Sequence, residues 1–195
     1  MASNFPTSLD SFTNPSATDA MDSVTVPHAT QHADLNDAVE ALEAKVGADG
    51  SAVTSSLDYK VANQGTYVSY TPTFTNLTVG NATLNFTYTQ IGKFVHVVGV
   101  MYFGSTTSIS STPYISLPVT RYTNDLEVLG TGYLGDTGTG TYLMFPLAVD
   151  TTRVIMFGAN HTVGSTIIEG ATTSTVPFTW TTNDRINLNL SYRAA

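Results

Sequence analysis

The chain has 195 residues, of which 42% are hydrophobic and 11% charged, with a net charge of −8 and no cysteine. That is enough for one domain with a real core plus an arm, and too apolar for wholesale disorder. The balance excludes the basic patch that nucleic-acid phosphates require, gives no attraction to anionic membranes, and rules out disulfides and thiolate metal sites.

The charge is unevenly placed. Residues 1–60 carry nine acidic and two basic side chains, whereas residues 61–195 carry six and five. About one residue in six is Thr, so the surface is expected to be solubilised by hydroxyls and amides as much as by charge. The start MASNFPTSLD lacks the basic and apolar regions of a secretory signal. The longest apolar run, FVHVVGVMYF, is ten residues, too short to span a bilayer. These features predict a soluble protein made in a cytoplasm, with no membrane insertion.

Residues 1–27 show no sustained period and are dominated by Ser, Thr, Asp, Asn and Pro. Phe5-Pro6, Leu9 and Phe12 are out of place in a purely solvated tail. They predict an extended arm that orders against another surface, the contact offsetting its entropy cost.

Residues 28–47 read as the one convincing helix. Leu35, Val39, Leu42 and Val46 are spaced 4, 3, 4, a heptad seam with Val at a and Leu at d. Extended backwards, the same frame puts His32 at a and His28 at d. Pro27 suits a first turn, Gly47 a stop, and Lys45 the C-terminal end of the helix dipole. A helix packed on the β domain has much the same stripe as a self-associating bundle, and two and a half heptads do not separate the two. In a parallel coiled coil, this a/d choice leans towards a dimer. His28 and His32 share a face at a spacing that suits metal ligation, but without an HExxH motif or a third ligand. Water-bonded seam histidines explain them as well, and no metal or cofactor is expected.

Residues 48–69 read as a linker, and residues 70–195 as an all-β head. LNFTYTQ (84–90) alternates, with Leu84, Phe86 and Tyr88 on one face. FVHVVGVMYF (94–103) is apolar on both faces, as a strand covered on both sides would be. Further strands are expected at 114–119, 126–130, 142–149, 153–159, 162–170 and 186–192. About eight strands with Gly- and Thr-rich turns predict an antiparallel β-sandwich, jelly-roll-like.

The chain contains none of GxSxG, Walker A, GxGxxG or HExxH. His96, inside an apolar strand, is expected to be a satisfied core histidine, and His161 to lie in a loop. Asp125 and Glu127 share a strand face, but ordinary surface charges are the simpler reading than a glycosidase pair. Trp180 and the ten tyrosines offer a sugar-stacking surface, although a β core takes most aromatics. The chain is therefore expected not to be an enzyme.

The segments FPTSLDSFTNP, HATQHADLNDAVEALEAKVG and SLDYKV, in that order, closely resemble an N-terminal module of tailed-phage virion proteins, the minor tail or fibre proteins. The stretch from YTPTFTNLTVG to VMYFGSTT, ISLPV, and PFTWTTNDRINLNLSYRAA resemble the β modules that follow it. The resemblance implies a homotrimer with a trimerising helix whose interface is His28, His32, Leu35, Val39, Leu42 and Val46. It implies attachment to other virion proteins through Phe5, Pro6, Leu9 and Phe12, and a head that meets a host-surface glycan or protein. The location would be the exterior of a virion, on tail or capsid. It fits a short tail fibre, a head fibre or a capsid decoration; a carbohydrate-binding module outside any virion is the competing class. Without repeats or a shaft, the chain would make a short knob.

Overall fold

The computed structural model describes residues 4, 5, 7, 8, 11, 17–24, 27–162 and 166–195. The chain divides into two compact units, Met1–Gln64 and Gly65–Ala195.

In the first unit, helix α1 spans His28–Val46 and helix α2 spans Leu57–Ala62. Pro27 precedes α1 with extended backbone, and Gly47 ends it at φ 85°, its N–H bonded to Glu43 O at 2.7 Å. Gly47 is required twice over. Its φ is left-handed, and an added Cβ would meet the buried Ser56 side chain at 2.9 Å. Ser56 caps α2 by accepting the Tyr59 N–H at 3.2 Å, and its own hydroxyl donates to Val53 O at 2.8 Å. The Asp58 carboxylate takes the Ser51 N–H at 2.9 Å. The stretch read as linker is therefore an organised turn and helix, held by short polar side chains. The arm is not extended throughout: the Thr7 and Ser8 N–H groups both bond to Asn4 O, and Ser23 N–H bonds to Ala20 O. Phe5 is half-buried. Pro6, Leu9 and Phe12 lie outside the described residues.

The second unit holds eleven described strands: β1 (Val68–Ser69), β2 (Phe74–Thr78), β3 (Thr83–Ile91), β4 (Phe94–Tyr102), β5 (Ser108–Ser116), β6 (Glu127–Val128), β7 (Gly130–Asp136), β8 (Gly140–Ala148), β9 (Arg153–Thr162), β10 (Thr166–Ala171) and β11 (Arg185–Arg193). All pairs are antiparallel, in the order β1-β3-β4-β11-β7-β8-β9-β5-β2, with β6 on β8 and β10 on β9. The two ends of this order, β1 and β2, are joined by only four residues, which reach at most about 17 Å. The sheet must therefore curl until its ends approach each other, and the Phe74 and Phe86 rings meet edge-on at 6.3 Å. The unit is thus a mainly antiparallel β domain, as the alternating patterns predict.

Its concave face is the core. Leu84, Phe86 and Tyr88 of β3 lie opposite Met101, Gly99 and Val97 of β4. Beyond them come Ile186, Leu188, Leu190 and Tyr192 of β11. Gly99 leaves room for the Phe86 ring, because a Cβ there would sit 2.1 Å from it. Trp180 stacks on Phe103 at 4.7 Å, lies 4.5 Å from Phe178, and gives its ring N–H to Thr173 O. The single tryptophan is thus committed to packing. His161 falls in β9, where its backbone pairs with Ile167, rather than in a loop.

Candidate functional site

The residues proposed for chemistry are placed apart and given structural tasks. Glu127 pairs with Arg121 at 2.7 Å. Arg121 is buried and also donates to the carbonyls of Asp125 and Asp150. The Asp125 carboxylate accepts from the Thr123 hydroxyl at 2.7 Å, a local turn. Both carboxylates are exposed rather than facing each other across a cleft. The turn read as TTND hides a stronger feature. Asp184 is fully buried and accepts the N–H groups of Thr137 at 2.9 Å and Thr181 at 2.5 Å, as well as the Thr181 hydroxyl.

His96 is satisfied but not in the core. It lies on the convex face, with the Tyr67 hydroxyl on Nδ1 at 2.5 Å and Asn189 Oδ1 at 2.9 Å from Nε2. With Asn189 Oδ1 as acceptor, Nε2 carries the proton and Nδ1 accepts from Tyr67. No local pattern signals this trio, whose members come from positions 67, 96 and 189.

The convex face of β4 corrects a second expectation, since it is not covered. Its outward residues Phe94, Val98 and Tyr102 are 53%, 38% and 44% exposed, and Ile91, cross-strand from Phe94, is 41% exposed. Thr83, Asn85 and Thr87 flank the stripe on one side and Asn187, Asn189 and Ser191 on the other. Near Phe94, an open depression of about 300 Å³ is lined by Lys93, Phe94, Ser191, Tyr192 and Arg193. Cations here are largely engaged within the unit. Arg193, Arg185 and Arg153 lie over the rings of Tyr122, Tyr133 and Tyr114, and Arg153 also pairs with Asp150.

In the first unit the expected seam is one exposed stripe. Leu35, Val39, Leu42 and Val46 are 57%, 45%, 51% and 44% exposed, and no residue of α1 is buried. The half-buried positions, Gln31, Asp34, Ala38 and Ala41, form a different face of the helix. His28 and His32 continue the seam at its N-terminal end, both exposed, with their Nε2 atoms 3.0 Å apart. Among the described residues no group of three or more His, Cys, Asp or Glu comes together, and no helix is long and apolar enough to cross a membrane.

Burial, partly offset by the hydrogen bond donated by the Val119 N–H, pushes the Tyr192 hydroxyl up to about 12. Burial raises Tyr70 as well. At Asp150 burial works upward but is outweighed by hydrogen bonds from Thr152 and Arg153, which leave the carboxyl below its ordinary value.

Compared with known protein families, curated proteins and solved structures, the chain finds no match in any of the three.

Proposed function

We propose that this chain is a non-enzymatic structural protein of a phage virion, a short homotrimeric tail fibre or minor tail protein that presents a β head to the host surface. The observation that carries the proposal is the exposed heptad stripe of α1. Four large aliphatic side chains in line, each about half in water, are an unfinished interface. The uncovered stripe on β4 is a second surface of the same kind. Three long strands of about 30 Å, spaced about 4.8 Å apart, give a face of roughly 430 Å² before side-chain relief is added. That is about half of the roughly 800 Å² per partner of a standard interface. On this reading the helix brings three chains into register, the curled sheets pack into a compact head, and the N-terminal arm attaches to other virion proteins.

Leu35→Asp together with Leu42→Asp should dissociate the oligomer while the β unit keeps its circular dichroism. A double variant that sediments as a trimer would refute the role given to the helix. Quantitative mass spectrometry of purified particles tests the location. A few copies, in multiples of three, fit a tail appendage, and many tens to hundreds fit a capsid decoration. Absence from particles removes the virion reading and leaves a carbohydrate-binding module.

A further inference from the structure

His28 and His32 close the N-terminal end of the apolar stripe of α1 with a specific geometry. The two Nε2 atoms lie 3.0 Å apart and the rings meet edge-on, with centroids 4.3 Å apart. Two nitrogens bound to one tetrahedral zinc at 2.0–2.1 Å are about 3.3 Å apart. Putting a metal ion in place of this hydrogen bond therefore needs a shift of only a few tenths of an ångström, with the donor ring moving its proton from Nε2 to Nδ1 so that both Nε2 lone pairs face the ion. Imidazole suits zinc, nickel and copper. Both rings are exposed and one turn apart, so the ion can enter without unfolding the helix.

A single chain offers only these two nitrogens, since no third His, Cys, Asp or Glu joins them among the described residues. The seam supplies the rest. In a parallel, in-register bundle, His28 and His32 of every copy face the axis as Leu35 does, so two copies provide four imidazoles and three provide six. Four neutral nitrogens satisfy zinc completely. The ion lies at the helix N-terminal end, where the dipole disfavours a cation. The nine acidic against two basic residues of positions 1–60 keep the segment net negative and oppose that effect.

We propose that His28 and His32 form a half-site for a zinc-class divalent ion that becomes complete when copies of this chain associate through α1. This rests on the seam reading above and adds the ligand that its polar end would hold.

The test uses full-length protein stripped with chelator, titrated with zinc by calorimetry, with the oligomeric state followed by sedimentation. The expected result is saturation at about one zinc per three chains, or per two if the bundle is dimeric, and a higher melting temperature of the oligomer. The double variant His28→Ala, His32→Ala should lose the saturable heat while the metal-free protein stays assembled, and each single substitution, which leaves three imidazoles in a trimer, should weaken it. An assembled chain that takes up no zinc overturns the site and leaves the seam intact. One zinc per chain, unchanged in the Leu35→Asp, Leu42→Asp variant, also overturns it, because the pair would then be a simple surface chelate. A chain that is monomeric with and without zinc removes the seam reading, and the site with it.

Discussion

Asp184 is the side chain on which the end of the curled sheet turns. It lies between β7 and β11 and gathers three donors from Thr137 and Thr181 into one buried carboxylate. Asp184→Ala leaves those donors without an acceptor and should cost about 3 kcal/mol in urea unfolding, with Asp184→Asn roughly half as costly because one oxygen remains. A loss under about 0.5 kcal/mol for the alanine variant would show that water replaces the carboxylate. Tyr192 tests the opposite end of the pH scale. Its hydroxyl donates to Val119 O at 2.8 Å, and its pKa is raised from 10.0 to about 12. The unfolded chain releases this proton first, so the stabilisation is complete below about pH 10 and is lost as pH rises towards about 12. The raised Tyr70 adds to the same slope. Melting temperature should fall over this window, less steeply in Tyr192→Phe; equal slopes would remove Tyr192 as a cause.

At the scale of elements, β3 and β4 show how shape overrides pattern. Gly99 in the middle of a strand ordinarily weakens it, but here it accommodates Phe86. Gly99→Ala should cost about 3 kcal/mol through overpacking, and Phe86→Leu in the same chain should recover much of that loss. Additive losses in the double variant would mean that the two positions do not share space. The strands that alternate cleanly, β3 and β11, are legible from the sequence because their inward residues are large and apolar. β7 is not, since Gly132 and Gly135 read as turn residues until β8 and β11 are seen to pair with it on either side. β5 begins at Ser108, ahead of the expected strand. Pro113 sits at a register shift, where Asn76, at φ 61°, bonds instead to the Thr112 carbonyl. The run 94–103 identifies β4 as a strand, but its outer face is open where the apolar pattern predicts cover. Hydrophobicity alone does not reveal whether the second face meets its own chain, another copy or water. The apolar stripe of α1 is legible because a helical repeat depends only on sequence, whereas what covers it is not. The Tyr67–His96–Asn189 trio is not legible, because it depends on strand order.

For the molecule as a whole, the proposed trimer raises the question of which exposed surface would hold it together. Covering a half-exposed Leu or Val gains roughly 1 kcal/mol, so four per chain in three chains give roughly 12 kcal/mol. Joining three chains involves two association steps, each costing about 4–15 kcal/mol, so the seam alone is marginal. The β4 stripe carries a comparable load and is marginal in the same way. Assembly through both surfaces therefore predicts a trimer that needs each of them. Trypsin separates their contributions, since the only basic residues in the first unit are Lys45 and Lys60. Cleavage after Lys60 should release residues 61–195 as a folded β fragment that sediments as a monomer, while uncut protein sediments as a trimer with Lys45 protected. If the fragment stays trimeric, the sheet face suffices and the helix is not what sets the register. Rapid cleavage at Lys45 in the intact protein would mean that α1 is not packed against other copies, and the heptad stripe would then need another partner.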